Sequence, residues 1–296
     1  MDILLFGKNG QVGWELQRAL APLGTLTVVD RHSKEYCGDF ENPEGIAETV
    51  HRLKPAVIVN ATAYTAVDKA ESEQDKARLV NATSIKALAE AAEEIGAWLI
   101  HYSTDYVFDG SGAEPWSEED PTAPLNIYGQ TKLEGEQAIV RTMTKYLIFR
   151  TSWVYAAKGN NFAKTMLKLA KDRETLSVIN DQFGAPTGAE LIADSTAHAI
   201  RVALNDNGVA GIYHLIAAGE TTWHAYASKV IEFAKQQGTE LSVQAINPVP
   251  TSAFPTPARR PGNSRLNTAK FQRTFGLTLP DWTSGVERML LETLIK

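Results

Sequence analysis

Cysteine is all but missing from this chain of 296 residues: Cys37 is the only one. An internal disulfide and a cysteine-cluster metal site are excluded with it. Positive charge is in short supply too. Lys and Arg number 29 against 35 Asp and Glu, a formal net charge of −6. That balance argues against nucleic acid or an anionic membrane as the partner, while leaving room for an anionic ligand in a local basic pocket. No apolar run approaches the roughly 20 residues that a bilayer span demands. The chain opens on an apolar strand rather than on a basic, apolar, small-residue leader, so a reducing, cytoplasmic setting is expected. Internal repeats and low-complexity tracts are also absent. Hydrophobic residues make up 44% of the chain, and over this length they suffice for one large core with a smaller companion.

The first apolar run, Ile3-Leu4-Leu5-Phe6, has the character of a strand buried on both faces. It leads into Gly7-Lys8-Asn9-Gly10-Gln11-Val12-Gly13 and then into a helical pattern through Trp14, Leu16, Leu20 and Leu23. Strand, G-x-x-G-x-x-G turn and helix form a variant of the dinucleotide fingerprint. Glycines let backbone approach a pyrophosphate, and the helix N-terminus offers free N–H groups. Gly7, Gly10, Gln11, Val12 and Gly13 are thus candidate cofactor contacts. A second strand, Thr25–Val29, ends at Asp30, placed to accept from adenosine ribose hydroxyls as NADH use requires. Arg31 follows and suits the 2′-phosphate of NADPH, so use of both nicotinamides is expected. Asp39 and Phe40, after a short third strand, flank the adenine in this reading, or are a loop acid and a core aromatic. A fourth strand, Ala56–Asn60, opens into small residues around Ala63, Tyr64 and Thr65, against which a cofactor can lie.

Helices are expected over Val67–Glu71 and Asp75–Ile95, with Asn81 as polar surface. The fifth strand, Ala97–Tyr102, carries Ser103-Thr104-Asp105 at its end, where functional residues of open α/β sheets gather. His101 within it reads as a packed core residue. Asn126 then caps a helix running to about Arg141. On that helix Tyr128 and Lys132 stand four apart and share a face. A cation beside a phenol favours the phenolate, so Tyr128 is expected to have a lowered pKa and to exchange protons near neutrality. A sixth strand covers Tyr146–Arg150. This alternation predicts a Rossmann-type doubly wound parallel sheet over residues 1–155. Residues 156–296 then form mainly a smaller mixed α/β substrate domain, with about 176–204 as a segment that returns to the first. Its proline-rich stretch holds Arg259 and Arg260, either a diphosphate clamp or exposed loop arginines.

Together these strings resemble the extended short-chain dehydrogenase/reductase family. Asn60–Glu71, Ser103–Gly110, Asp181–Thr187 and Arg260–Asn267 are similar to the branch of dTDP-4-dehydrorhamnose reductases, and they span nearly the whole chain. Thr62 departs from the alanine common there but stays small. The resemblance implies NADPH- or NADH-dependent reduction of the C4 ketone of a dTDP-4-keto-6-deoxy sugar, dTDP-6-deoxy-L-lyxo-4-hexulose, to dTDP-L-rhamnose. It implies Tyr128 as proton donor, Lys132 on the nicotinamide ribose and Thr104 on the ketone. Asp105 and Trp153 contact the sugar, and Arg259 or Arg260 with the Asp181–Thr187 loop approaches the nucleotide. It also implies Mg²⁺ held between the subunits of a homodimer by Glu15, Glu190 and Glu292. Read as residues alone, those three are solvated glutamates on separate helices. Two rivals remain on this fold. A nucleotide-sugar epimerase reuses the Tyr and Lys, whereas a dehydratase would need a second acid at Tyr106. A non-enzymatic subunit like that of methionine adenosyltransferase would not require Thr104, Tyr128 and Lys132.

Overall fold

The computed structural model describes residues 1–294. Its first half alternates β1 (Asp2–Phe6), α1 (Gln11–Leu20), β2 (Thr25–Val29), α2 (Pro43–Leu53) and β3 (Val57–Asn60). Short helices α3 (Val67–Ala70) and α4 (Gln74–Arg78) precede α5 (Ser84–Glu94), β4 (Trp98–Thr104), α6 (Ile127–Thr142) and β5 (Tyr146–Thr151). The second half runs through β6 (Val154–Tyr155), α7 (Phe162–Asp172), β7 (Thr175–Ile179), β8 (Phe183–Gly184), β9 (Thr187–Gly188) and α8 (Ala189–Ala203). It ends with β10 (Gly211–His214), β11 (Thr221–Thr222), α9 (Trp223–Gln236), β12 (Ala245–Val249), α10 (Ala269–Phe275) and α11 (Trp282–Leu294).

Six strands form one parallel sheet in the order β10-β5-β4-β3-β1-β2. The apolar runs are continuous because both faces are covered. Ile3, Leu5, Val57, Val59, Ile100 and Phe149 pack under α1 and α8. Their neighbours Leu4, Phe6, Ile58, Leu99 and Ile148 pack under α2, α5 and α6. Sequence order reverses between β1 and β3, and the crevice above that point is where such sheets bind ligands. Beyond β5 the chain builds a second layer from α7, α9 and α11 with the parallel pair β7 and β12. From the segment expected to return, α8 packs on α1, and β10 beyond it joins the large sheet beside β5.

Two expected elements differ. No strand forms between β2 and α2. The Asp30 carboxylate instead turns the chain there, accepting the His32 N–H at 2.9 Å and the Ser33 hydroxyl at 3.2 Å, which leaves β2 as the sheet edge. The single helix expected over Asp75–Ile95 is broken by a π-helical turn at Leu79–Thr83. That turn drives Asn81 inward, so it is buried rather than surface.

Candidate active site

The glycine-rich turn after β1, the expected cofactor turn, is shaped by close backbone approach. Gly7 has φ +87°, and a Cβ on it would lie 2.8 Å from the Ala61 backbone. A Cβ on Gly13 would lie 2.0 Å from the Gly7 carbonyl, so only glycine lets α1 start this close to β1. Gly10 is different: its Cβ would meet nothing nearer than 3.5 Å and would fill cavity space instead. Gly10 lines both a cavity of about 280 Å³ with Asp30, Arg31, Asp39 and Phe40 and a larger one of about 620 Å³ with Tyr128 and Lys132. Ala63 lines both as well, with Tyr64 in the first and Gln11, Val12 and Thr65 in the second. An open glycine cradle, a helix N-terminus and the unpartnered buried hydroxyl of Thr62 suit a dinucleotide laid across the two.

In the smaller cavity, burial would raise the Asp30 pKa. The His32 N–H, the Lys8 charge and Ser33 outweigh it and hold the carboxylate below its ordinary value. Asn9 Nδ2 donates to it at 2.5 Å. Arg31 is exposed beside it. Phe40 is a core aromatic, edge-on to Phe6 at 5.3 Å, whose edge reaches the same cavity.

At the larger cavity, Asn126 Oδ1 accepts the Gly129 N–H at 2.8 Å and starts α6, which presents Tyr128 and Lys132 to it. Thr104 and Asp105 enter from the end of β4. The Thr104 hydroxyl donates to Asp105 Oδ1 at 3.0 Å and accepts the Tyr106 N–H at 3.2 Å. Burial raises the Asp105 carboxyl to about 6, against lowering by Ser264 and Thr104, and its Oδ2 has no partner. The expectation for Tyr128 is corrected. Burial pushes the phenol above its ordinary value, against a smaller lowering by Thr104. Lys132 cannot reverse this, because its Nζ is turned to the Tyr102 carbonyl at 2.6 Å and to His101 Nε2 at 3.1 Å. Burial also brings the Lys132 amine down to about 8, with the Glu136 charge opposing.

Trp153 lines the cavity from a left-handed backbone, φ +48°, a conformation that costs about 1–3 kcal/mol outside glycine. Its indole stacks on Trp223 of α9, centroids 3.6 Å apart. Arg260 pairs with Asp68 at 2.8 Å and stands between this cavity and a third of about 280 Å³ lined by Trp223, Gln182 and Phe254. Arg259 faces away: its side chain is exposed, and its carbonyl accepts from Asn126 Nδ2 at 2.8 Å. Of the two arginines only Arg260 reaches the cleft.

Two participants escaped sequence reasoning. Asn81 accepts the Tyr64 N–H at 2.8 Å and donates to Thr131 at 3.2 Å, pinning the cofactor-side loop to α6. Trp223 walls the third cavity beside Gln182, which comes from the loop expected at the nucleotide and accepts the indole N–H at 3.0 Å. Their partners are distant in the chain, so no local spacing announces them.

Glu15, Glu190 and Glu292 all line one cavity of about 300 Å³ on another face. Each carboxylate is already answered by an arginine: Glu15 by Arg18 at 3.6 Å, and Glu190 and Glu292 by Arg288 at 3.3 and 3.4 Å. Among the described residues no group of three or more Asp, Glu, His or Cys converges to hold a metal, so a single chain does not form the expected Mg²⁺ site. Nor is any described helix long and apolar enough to cross a membrane.

A family profile described as the RmlD substrate binding domain matches residues 1–295. The dTDP-4-dehydrorhamnose reductase of Escherichia coli K12 is 68% identical over 292 residues, 99% of this chain and 98% of its own length. That of Burkholderia thailandensis is 48% identical, covering 97% of each chain. A crystal structure of the Bacillus anthracis dTDP-4-dehydrorhamnose reductase in complex with NADP superposes with a TM-score of 0.88 at 35% identity, covering 99% of both chains. With the fingerprint turn and the Thr104, Tyr128 and Lys132 side chains on one cavity, the chain belongs to the dTDP-4-dehydrorhamnose reductase family.

Proposed function

We propose that this chain reduces the C4 ketone of dTDP-6-deoxy-L-lyxo-4-hexulose with NADPH or NADH, giving dTDP-L-rhamnose. One observation carries the reading: Thr104, Tyr128 and Lys132 line a single cavity of about 620 Å³ that the cofactor turn also lines. The reduced nicotinamide, when bound, supplies the hydride. Tyr128 gives its phenol proton to the carbonyl oxygen, and burial keeps that proton on the phenol through neutral pH. Thr104, held by the Tyr106 N–H, turns its one hydroxyl proton from Asp105 Oδ1 to the ketone oxygen when the sugar binds, and so orients it. Lys132 holds the nicotinamide ribose. The unpartnered Asp105 Oδ2 accepts from sugar hydroxyls, the Trp153 and Trp223 pair walls the pyranose, and Arg260 meets the diphosphate. Asp30 and Arg31 side by side support use of both nicotinamides.

Supplying the ketosugar with each nicotinamide in turn tests this directly. Stoichiometric oxidation of added NADPH or NADH is expected; an epimerase or a binding subunit would show none. Changing Arg260 to Gln is expected to raise the KM for the nucleotide sugar about tenfold or more, the scale of a lost charged hydrogen bond. Arg259→Gln should stay within about twofold, and equal effects would reject the assignment of the diphosphate to Arg260. The homodimer and its Mg²⁺ rest on the three glutamates sharing one cavity, which a second copy would have to complete. Sedimentation with and without a chelator tests them, an unchanged monomer mass removing both.

A further inference from the structure

Two buried groups beneath the cleft have no part in the chemistry described so far. His101, on β4, is fully buried, with Nε2 3.1 Å from Lys132 Nζ and Nδ1 3.1 Å from the Asn60 amide nitrogen. The orientation of Asn60 is fixed independently, since its Oδ1 accepts the Thr62 N–H at 2.9 Å. It must therefore present its NH₂ to the ring, and Nδ1 must accept. Burial and the lysine charge hold His101 well below its ordinary pKa, so the ring is neutral and carries one proton. That proton is on Nε2, aimed at the lysine.

Against an ammonium this is donor facing donor. Against a neutral amine it is a hydrogen bond to the lone pair, while Nζ still donates to the Tyr102 carbonyl at 2.6 Å. A charged Lys132 accepted by the ring would need the ring proton on Nδ1. Asn60 would then have to turn over, setting its NH₂ against the Thr62 N–H. We propose that His101 is a positioning residue for Lys132: its Nε2–H, held there by Asn60, donates to the amine and weakens the lysine's hold on its proton. The line Thr62, Asn60, His101, Lys132 thereby ties the charge of the amine to the turn that lines the cofactor side of the cleft.

The other groups facing the amine are few. Tyr102 contributes a carbonyl from β4, Tyr128 lies one turn earlier on α6, and Glu136 lies one turn later with its carboxylate turned to Arg150 of β5. Burial acts on Lys132 in the same direction as the ring, and only the Glu136 charge opposes it. The proposal rests on Lys132 as the amine that serves the reaction, but its test does not require turnover.

The experiment follows Lys132 by NMR in the full chain, with lysine Cε labelled and the signal assigned by its loss in Lys132→Arg. Histidine ring nitrogens are labelled alongside. The ring proton of His101 is expected on Nε2, and Lys132 is expected to titrate near its value of about 8. In His101→Gln the side-chain oxygen can turn to the ammonium, and the lysine's proton affinity should rise about tenfold or more, one pH unit in its midpoint. Asn60→Asp provides a second arm if that variant fails to fold. A carboxylate keeps the Thr62 bond, moves the ring proton to Nδ1 and should raise the midpoint with the imidazole in place. A ring proton on Nδ1 in the unaltered chain, or a Lys132 midpoint unmoved in both variants, overturns the proposal. If the midpoints move and the pH profile of kcat/KM does not follow, the proposal stands and the role given to Lys132 in reduction is what fails.

Discussion

Tyr128→Phe is expected to lower kcat/KM for ketosugar reduction by about 10²–10⁴-fold, the usual contribution of a positioned general acid. The change removes one oxygen and little else. The ring stays edge-on to Tyr106, whose centroid is 5.8 Å away, and α6 keeps its Asn126 cap, so the fold and the cofactor turn are untouched. Dinucleotide binding, followed by fluorescence, should therefore remain within about threefold while turnover collapses, a loss in kcat rather than in affinity. The direction of the phenol's pKa sharpens this. Burial raises it, so below its own titration the group is protonated and competent to donate, and the proton step gives no falling limb at mildly alkaline pH. Lys132, brought down to about 8, loses its charge first as pH rises, so any alkaline decline belongs to the amine. A phenylalanine variant that turns over at the native rate would remove Tyr128 from the mechanism.

The second large effect is on stability. Arg150 of β5 and Glu136 of α6 form an ion pair that is almost wholly out of solvent, 3% and 2% exposed, with Nη2 2.7 Å from Oε2 and Nε 3.0 Å from Oε1. Arg150→Leu leaves the carboxylate buried without a partner, and urea unfolding should register a loss of about 3–5 kcal/mol. Replacing both, as Arg150→Leu with Glu136→Leu, should restore most of it, because an apolar pair asks for no hydration. A single substitution costing under about 1 kcal/mol would show that water reaches the pair. Glu136 is one turn from Lys132, so the single variant is also expected to lower turnover by loosening the helix that carries the reacting side chains.

The large sheet was legible because strands buried on both faces must be written as unbroken apolar runs, and those over Ile3–Phe6, Val57–Val59 and Leu99–Ile100 are. Tyr128 and Lys132 were legible as a pair because one helix sets their spacing, whatever surrounds it. Where a property depends on what surrounds a residue, local pattern failed. The sequence places a cation four residues from a phenol but is silent on burial, which decides the direction of the phenol's pKa. Arg259 and Arg260 are adjacent and chemically identical, and only the backbone turn between them sends one into the cleft and the other to solvent. Asn81 looked like surface because the π-helical turn at Leu79–Thr83 changes the helical phase and swings it inward, and no residue type marks such a turn. The segment between β2 and α2 has the length of a strand, yet its first amides, of His32 and Ser33, are turned back onto the Asp30 carboxylate and carbonyl.

Trp153 sets backbone strain against side-chain packing at one position. Glycine there would relax the left-handed backbone, recovering about 1–3 kcal/mol, and would forfeit the roughly 3–5 kcal/mol that a packed Trp is worth. It would also strip the indole from the stack with Trp223 and open the wall of the cleft. Selection for heat resistance and selection for turnover would therefore both hold a conformation that the backbone on its own disfavours.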